Sequence, residues 1–363
     1  MQNSIILTGC VLLWVVAFSA TPGAHATAPA LSSDVGRQYA RPHDLVDIGK
    51  GKRINLFCMG TGAPTVIFDS GLSDWSSIWA LVQPGVAKLT RACSYDRAGM
   101  GFSDASGTAA RSPIANDENL HALIRAARIP TPVVLVGHSL GGFNMKLYAA
   151  LYPEDVAGLV LVDPAEDRNI ERTASRLRAK YGEAFAARVA LDDLSYLQMT
   201  VAQYDTCAEA TTTKDLDPAS DEYKNCTDPV RPLLGPDIAA ARLKIQVERR
   251  YQVTQASELA NSVYGDQRPD PIYARLFSGH PFGNRPLIVL THSIYDAKDP
   301  EDAADDLAWN TTHDQTAQLS RRGINRIVPG THHNIEVDQP QAVVEAVRQV
   351  LKAVADPHAR IAR

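Results

Sequence analysis

The feature that most constrains the fold is an apolar run, Val133–Val136, that leads directly into the pattern Gly-x-Ser-x-Gly at Gly137–Gly141. The run predicts a buried strand, and the apolar residues that follow at helical spacing predict a helix. A serine in so sharp a turn, here Ser139, adopts a strained backbone, and side chains two residues to either side would collide. Its hydroxyl is then expected to project from a sheet edge beside a helix N-terminus, which favours developing negative charge.

Strands and helices alternate on both sides of this turn, which is the pattern of an α/β fold. The predicted strands are Leu45–Ile48, Ile54–Met59, Thr65–Phe68, Ala92–Tyr95, Val133–Val136, Val156–Val162, Leu287–Thr291 and Asn325–Val328. The predicted helices between and after them are Trp79–Leu89, Asn116–Ala127, Leu140–Leu151, Ala303–Ser320 and a last helix behind Pro340. The first three strands are expected to form a meander.

The alternation is interrupted once, by a long stretch rich in Ala, Arg, Leu and Glu that contains only helical patterns. We therefore predict a first core part over residues 27–163, a helical insertion over residues 164–285 and a second core part over residues 286–363.

Residues 1–26 are interpreted as a secretory signal peptide. Ile5–Ala20 is an apolar run of 16 residues, which is short for a bilayer span of about 20 residues. Ala24–Ala26 offers the small residues of a cleavage site, with Thr27 as the new N-terminus. The first basic residue is Arg37, so the usual positively charged start is missing, and an uncleaved anchor remains the alternative.

The charge balance argues against a nucleic-acid partner. Lys and Arg number 36 and Asp and Glu number 41, a net charge of −5, and basic residues nowhere form a stripe with interleaved aromatic residues. No nucleic-acid partner is expected. After signal cleavage, no stable membrane insertion is expected either.

Export would determine which cysteines are available to form disulfides. Cleavage would remove Cys10 and leave Cys58, Cys93, Cys207 and Cys226, an even number that enters an oxidising compartment. None of these has the Cys-x-x-Cys spacing of a zinc or redox site. Two disulfides are therefore possible, with the pairing open at this point.

A second motif makes the chain resemble the α/β-hydrolase superfamily. Asp96–Asp104 is similar to the family's D-R-x-G-x-G-x-S-D loop after its fourth strand, and the turn at Ser139 is similar to its nucleophile elbow. The resemblance covers about Asp44–Pro164 and Arg285–Ala355, and it is to the small-molecule esterase, proline-iminopeptidase-like and haloperoxidase-like branches especially. It implies a mostly parallel eight-stranded sheet flanked by helices, with a helical lid after the sixth strand. Asp104 occupies the last glycine position of the dinucleotide motif, so no nucleotide cofactor is expected.

The resemblance also places the general base at His333. The family carries its histidine on the loop after the last strand. There the pattern resembles H-x-I-x-x-D-x-P, with Ile335, Asp338 and Pro340 in register. The neighbouring His332 is the competitor. Adjacent loop residues rarely point the same way, so we favour His333 and do not interpret the pair as a metal site.

Two residues are candidates for the acid that orients this histidine. Asp163 follows the strand that ends at Val162, a position that some haloalkane-dehalogenase-like relatives use for this role. Asp296 follows the next strand, at the commoner family position, and both preserve the order Ser, Asp, His. Because Asp296 begins an acidic cluster of the kind often found at a solvated helix start, we favour Asp163 and keep Asp296 as the alternative.

Two backbone N–H groups are expected to form the oxyanion hole. One is that of Leu140, directly after the nucleophile, and the other is that of Leu72, in the loop after the third strand. Relatives most often have His-Gly where this chain has Ser70 and Gly71. Because the donor is a backbone group, this difference does not by itself remove it.

The resemblance finally implies a disulfide pairing. In the family's sheet the second strand lies beside the fourth, so Cys58 is expected to pair with Cys93. Cys207 and Cys226 would then close a loop within the insertion.

These residues favour a secreted or periplasmic serine hydrolase that cleaves carboxylic esters through an acyl-enzyme, without a cofactor. A proline-iminopeptidase-like amide hydrolase is the alternative within the class, and a non-catalytic binding module on the same fold is the alternative from another class. A lid over Ser139 would restrict the substrates to small or medium-sized soluble esters. The insertion also carries apolar and aromatic residues that are expected mainly to form its own small core, with an acyl pocket as the alternative: Tyr196, Leu197, Met199, Tyr251 and Tyr264.

Overall fold

The computed structural model describes residues 31–105, 107, 110–213, 215–359 and 361–362. The signal peptide predicted over residues 1–26 lies outside the described residues. Within them, no helix combines the length and the apolar character that a membrane span needs.

The described chain forms an eight-stranded, mostly parallel sheet with helices on both faces, as the sequence predicted. The strands are β1 (Asp44–Asp47), β2 (Arg53–Met59), β3 (Val66–Asp69), β4 (Ala92–Tyr95), β5 (Val133–His138), β6 (Val156–Val162), β7 (Pro286–Thr291) and β8 (Arg322–Ile327). Their order across the sheet is β1-β2-β4-β3-β5-β6-β7-β8. The pairs β1–β2 and β2–β4 are antiparallel, and the other pairs are parallel.

The expected meander of the first three strands is wrong. β1 and β2 form an antiparallel hairpin, but β2 pairs next with β4, and β3 lies between β4 and β5. All four residues of β3 are buried. A strand that is apolar on both faces is stable inside a parallel sheet, and the apolar strands β4 and β5 provide that position.

The helices follow the predicted pattern, with one exception. They are α1 (Ser33–Tyr39), α2 (Gln83–Val86), α3 (Pro113–Ala126), α4 (Leu140–Leu151), α5 (Asn169–Tyr181), α6 (Glu183–Thr213), α7 (Asp221–Asn225), α8 (Gly235–Gln246), α9 (Arg249–Asn261), α10 (Asp270–Leu276), α11 (Pro300–Ala317), α12 (Ile335–Asp338) and α13 (Pro340–Ala355). The single helix predicted over Trp79–Leu89 is instead a 3₁₀ helix, Ser76–Leu81, followed by α2. Pro84 has no N–H to donate, so it begins a new helical turn and does not continue the earlier one.

Alternate residues of the central strand β5 face two cores. Val134 and Val136 belong to a core closed by α13, and Val133 and Leu135 belong to a core closed by α3 and α4. All four are completely buried. Burial on both faces explains the continuous apolar run in the sequence and holds the end of β5, where Ser139 follows, in a fixed position.

Between β6 and β7 the described residues form helices α5 to α10 and no strand. A disulfide between Cys207 and Cys226 joins α6 to the end of α7. The second disulfide joins Cys58 and Cys93, which lie directly opposite each other in β2 and β4. Both pairs are those that the sequence analysis expected.

Candidate active site

Ser139 occupies the tight turn between β5 and α4. Its φ of +50° lies in the left-handed region, which is strained for a residue with a side chain. A Cβ atom on Gly137 would lie 2.3 Å from the carbonyl oxygen of Gly141, and one on Gly141 would lie 2.5 Å from that of Asp69. The close approach of the backbone therefore requires both glycines, and Ser139 is held at the carboxyl end of β5.

His333 and Asp163 face each other at the same edge of the sheet. Asp163 directly follows β6 and is completely buried. His333 lies on the loop after β8, with its Nδ1 atom 2.6 Å from Oδ2 of Asp163 and 43% of its side chain exposed. His138, next to Ser139, donates from Nε2 to the carbonyl oxygen of His333 at 3.0 Å. The structure thus brings the serine turn, the histidine loop and the aspartate together.

The two competing candidates point elsewhere. Asp296 is exposed after β7, and its carboxylate accepts the backbone N–H of Lys298 at 2.9 Å. His332 has its Nδ1 atom 3.2 Å from Oδ2 of Asp338, and the same oxygen accepts its backbone N–H. Among the alternatives that the sequence left open, Asp163 and His333 are the two residues that the structure places in contact.

A second histidine, which the sequence analysis did not single out, also binds Asp163. The Nδ1 atom of His292 lies 2.7 Å from Oδ2, and its backbone N–H donates to Oδ1 at 3.0 Å. The position of His292 in the sequence, directly after a strand, could have indicated this contact. β6 and β7 are adjacent parallel strands, so the polar residues that follow them lie at one edge of the sheet.

These contacts decide the charge of the shared carboxylate. Burial alone would raise the pKa of Asp163, but hydrogen bonds from His292 and His333 hold that pKa well below its usual value. Burial works to lower the pKa of His292, but the hydrogen bond and the charge of Asp163 raise it, and so do Asp306 and Asp302 on α11. A charged, buried carboxylate is therefore shared by two imidazoles.

The same three side chains are a candidate cation site. One ligand atom from each of Asp163, His292 and His333 lies within 4.8 Å of the other two. Carboxylate oxygen and imidazole nitrogen are ligands that Zn²⁺ accepts. Both Nδ1 atoms are directed at Oδ2 within hydrogen-bond distance, an arrangement that shared protons satisfy.

A buried pair of titratable groups, His138 and Glu336, lies beside the loop of His333. Oε1 of Glu336, on α12, lies 3.4 Å from Nδ1 of His138. Burial and the neighbouring His333 lower the pKa of His138 to about 3. Burial raises the pKa of Glu336 well above its usual value. Because Nε2 of His138 donates to a carbonyl group, its Nδ1 atom is an acceptor, and it faces the carboxyl group of Glu336.

The loop after β3 lies against the serine turn. A Cβ atom on Gly71 would lie 3.3 Å from Cβ of Ser139 and 2.9 Å from Nδ1 of His138, so this approach requires glycine. Leu72 is the next residue, and Leu140 is the first residue of α4. The two expected oxyanion donors therefore lie on the two segments that meet at Ser139.

The insertion reaches the site through Tyr264, whose phenol oxygen lies 3.5 Å from Oγ of Ser139. Burial raises the pKa of Tyr264 to about 12, so the phenol is neutral and keeps its proton. Tyr251 packs against Trp75, in the loop after β3, and donates its hydroxyl to the carbonyl oxygen of Ser73. The expectation that these two aromatic residues mainly fill a core of the insertion is therefore wrong, because both contact the sheet part of the chain.

The chain matches a known protein family over most of its length. Residues 62–346, more than half of the chain, match the model of a family described as the alpha/beta hydrolase family.

Similar proteins share the fold and parts of the sequence. The structure of a putative lipase from Acinetobacter baumannii AYE superposes with a TM-score of 0.62 and 18% sequence identity. The superposition covers 93% of this chain and 100% of that one. The 2-hydroxymuconate semialdehyde hydrolase of Pseudomonas sp. strain CF600 is 30% identical over 141 residues, 38% of this chain and 46% of that protein. The uncharacterized protein YqjL of Bacillus subtilis is 32% identical over 106 residues, 29% of this chain and 42% of that protein. The chain thus spans less than half the length of these curated relatives, and the structural likeness shows the fold alone.

Proposed function

The chain belongs to the alpha/beta hydrolase family, and on that premise we propose that it hydrolyses carboxylic esters through an acyl-enzyme on Ser139. The observation that carries the proposal is the 2.6 Å contact between Nδ1 of His333 and Oδ2 of Asp163, beside the serine turn. A carboxylate acceptor keeps a proton on Nδ1 of the imidazole. The Nε2 atom is then the free base that acylation needs.

In the acylation step, Nε2 of His333 takes the hydroxyl proton while Oγ of Ser139 bonds to the carbonyl carbon of the ester. The carbonyl electron pair moves to oxygen, and the N–H groups of Leu72 and Leu140 stabilise the resulting charge. The bond to the leaving alcohol then breaks, and the alcohol receives the proton from His333. Asp163 stabilises the intermediate imidazolium without taking its proton.

Deacylation repeats these steps with water. His333 removes a proton from a water molecule as the oxygen attacks the acyl carbon, and it returns that proton to Ser139 when the carboxylic acid leaves. The residues named here supply every proton transfer.

Small or medium-sized soluble esters are the substrates that the site favours. Ser139 is only 5% exposed, and Tyr264 brings the insertion to within 3.5 Å of its hydroxyl. A covered serine admits a soluble ester but hinders attack on a solid polymer surface. Faster turnover of a polyester film than of any soluble ester would refute this substrate class.

Export to an oxidising compartment is part of the same proposal. The two disulfides support it, because such bonds persist mainly in secreted and periplasmic proteins. Residues 1–26 have the apolar run and the small-residue site of a signal peptide.

Hydrolysis of short p-nitrophenyl esters tests the proposed reaction. Ser139→Ala and His333→Ala are each expected to lower kcat by about 10⁴-fold or more, because members of such a unit act together. His332→Ala is the matched control. It removes the neighbouring imidazole, which binds Asp338, and should leave kcat within about threefold of wild type.

A fluorophosphonate probe gives an independent readout. It should label the wild type and His332→Ala but not Ser139→Ala, since it reacts with an activated serine. Labelling of Ser139→Ala would contradict the assignment of the nucleophile. Loss of activity in His332→Ala with retention in His333→Ala would contradict the assignment of the base.

A further inference from the structure

Arg97, in the loop after β4, is buried and has an acceptor for each of its five N–H groups. Its Nε and Nη2 atoms donate to the two carboxylate oxygens of Glu258 at 2.6 and 2.8 Å. Its Nη1 atom donates to Oδ1 of Asp69 at 2.8 Å and to the carbonyl oxygen of Ser70 at 2.5 Å. Its Nη2 atom also donates to the carbonyl oxygen of Gly71 at 2.8 Å. With every donor engaged, the planar guanidinium has one orientation.

The carbonyl oxygen of Gly71 accepts from Arg97 and, at 3.2 Å, from the backbone N–H of Asp74, and these contacts determine the direction of the next N–H group. The carbonyl of Gly71 and the N–H of Leu72 belong to one planar trans peptide unit, in which they point in opposite directions. A guanidinium that holds this carbonyl therefore also aims the N–H of Leu72 away from Arg97. The peptide lies beside the nucleophile, since a Cβ atom on Gly71 would be 3.3 Å from Cβ of Ser139.

The helical insertion supplies the carboxylate that orients this guanidinium. Glu258 lies on α9 and is completely buried. Burial works to lower the pKa of Arg97, but Glu258 and Asp69 raise it well above its usual value, so the guanidinium stays charged. Arg250, also on α9, donates to the carbonyl oxygens of Gly101 and Ser103 at 2.7 and 3.0 Å. α9 is therefore bound at two points, Arg250 and Glu258, to the loop that carries Arg97.

We propose that Arg97 and Glu258 are positioning residues for the oxyanion hole, through which α9 of the insertion acts on catalysis. This role rests on the proposed function, because it concerns the aim of the Leu72 N–H at a developing oxyanion. Loss of Glu258 would leave the guanidinium without two of its five bonds and free to tilt. The peptide of Leu72 would then be held mainly by the longer contact between the N–H of Asp74 and the carbonyl of Gly71. The transition state, in which the oxyanion forms, would be stabilised less.

Two substitutions test the role, with a third as a matched control. Glu258→Gln keeps the size of the side chain but places an amide NH₂ against an arginine N–H. Arg97→Lys keeps the charge, but its ammonium cannot span acceptors arranged for a planar fork. Arg285→Lys is the control, because Arg285 also holds backbone carbonyls, those of Pro153 and Val156 at 2.6 and 2.8 Å, at the opposite edge of the sheet.

The measurements must distinguish a change in the orientation of the Leu72 N–H group from a loss of folded protein. End-point labelling with a fluorophosphonate gives the concentration of competent sites, and kcat, KM and the Ki of a trifluoromethyl ketone are then measured per labelled site. The ketone forms an adduct with Ser139 that carries an oxyanion. For Glu258→Gln and Arg97→Lys we expect kcat to fall about 10- to 100-fold and KM to stay within about threefold, with Ki rising by the same factor as kcat/KM falls. Arg285→Lys should match the wild type in all three constants.

Several outcomes would overturn the role. Unchanged kcat per labelled site in Glu258→Gln is one, and a fall in kcat with unchanged Ki is another. If circular dichroism shows that Arg97→Lys does not fold, Glu258→Gln decides, because it leaves the ion pair of Arg97 with Asp69 in place. A wild type that is neither labelled nor active refutes the proposed function itself. An active wild type with unaffected variants refutes only the positioning role.

Discussion

His292 is expected to influence the pH at which the pair of Asp163 and His333 becomes active. Both imidazoles bind the same carboxylate oxygen through Nδ1. Asp163, Asp302 and Asp306 raise the pKa of His292, although burial opposes them. The raised pKa favours the protonated form of His292, and the positive charge of that form opposes the imidazolium form of His333.

The structure sets the size of this effect. The ring centroids of His292 and His333 are 6.5 Å apart. Two unit charges at that separation repel by about 2.5 kcal/mol at an effective dielectric constant of about 20. Because 43% of the His333 side chain is exposed, solvent screens the repulsion, and we expect about half of it to remain.

His292→Asn isolates the charge. The Nδ2 atom of asparagine takes roughly the place of the imidazole Nδ1, so a donor to Asp163 is kept while the positive charge is lost. The substitution removes the repulsion between the two imidazoles. The acidic limb of kcat/KM should therefore move to higher pH.

The assay is hydrolysis of p-nitrophenyl acetate from about pH 4.5 to about pH 9, the range that contains both limbs of a histidine-dependent profile. His332→Asn is the control, since it makes the same change at an imidazole that binds Asp338. Its profile should match that of the wild type. An unmoved limb in His292→Asn, or a limb moved to lower pH, would refute the reasoning.

Three further variants test the choice of acid and the contribution of a disulfide. Asp163→Asn should lower kcat by about 10⁴-fold, because an amide nitrogen at the Oδ2 position favours the wrong tautomer of the catalytic imidazole. Asp296→Asn should leave the same ester assay nearly unchanged, and equal losses in both would contradict the choice of acid. Replacement of Cys207 and Cys226 together by alanine should lower the free energy of unfolding by about 3 kcal/mol, because the bond closes a span of 19 residues. Urea unfolding measures this change, and an unmoved midpoint would contradict it.

Features that depend on neighbours in the chain could be predicted from the sequence. The steric demands of the turn at Ser139 act within Gly137–Gly141, so the strand, the turn and the helix were all predictable. Apolar runs likewise located β4 and β6. The meander was wrong because the position of β3 depends on which distant strands cover its faces, and its own residues do not specify them.

The sequence by itself determined which reactive groups the chain carries, and only the tertiary structure decided which of them meet. Asp163 and Asp296 both follow apolar strands in the same chain order, so local sequence could not separate them. The contacts that decide the site join residues far apart in the chain: Asp163 with His333 over 170 positions, Asp163 with His292 over 129, and Arg97 with Glu258 over 161. Such hydrogen bonds need loop ends placed to within a few tenths of an ångström, and that placement results from the packing of the whole sheet and its insertion.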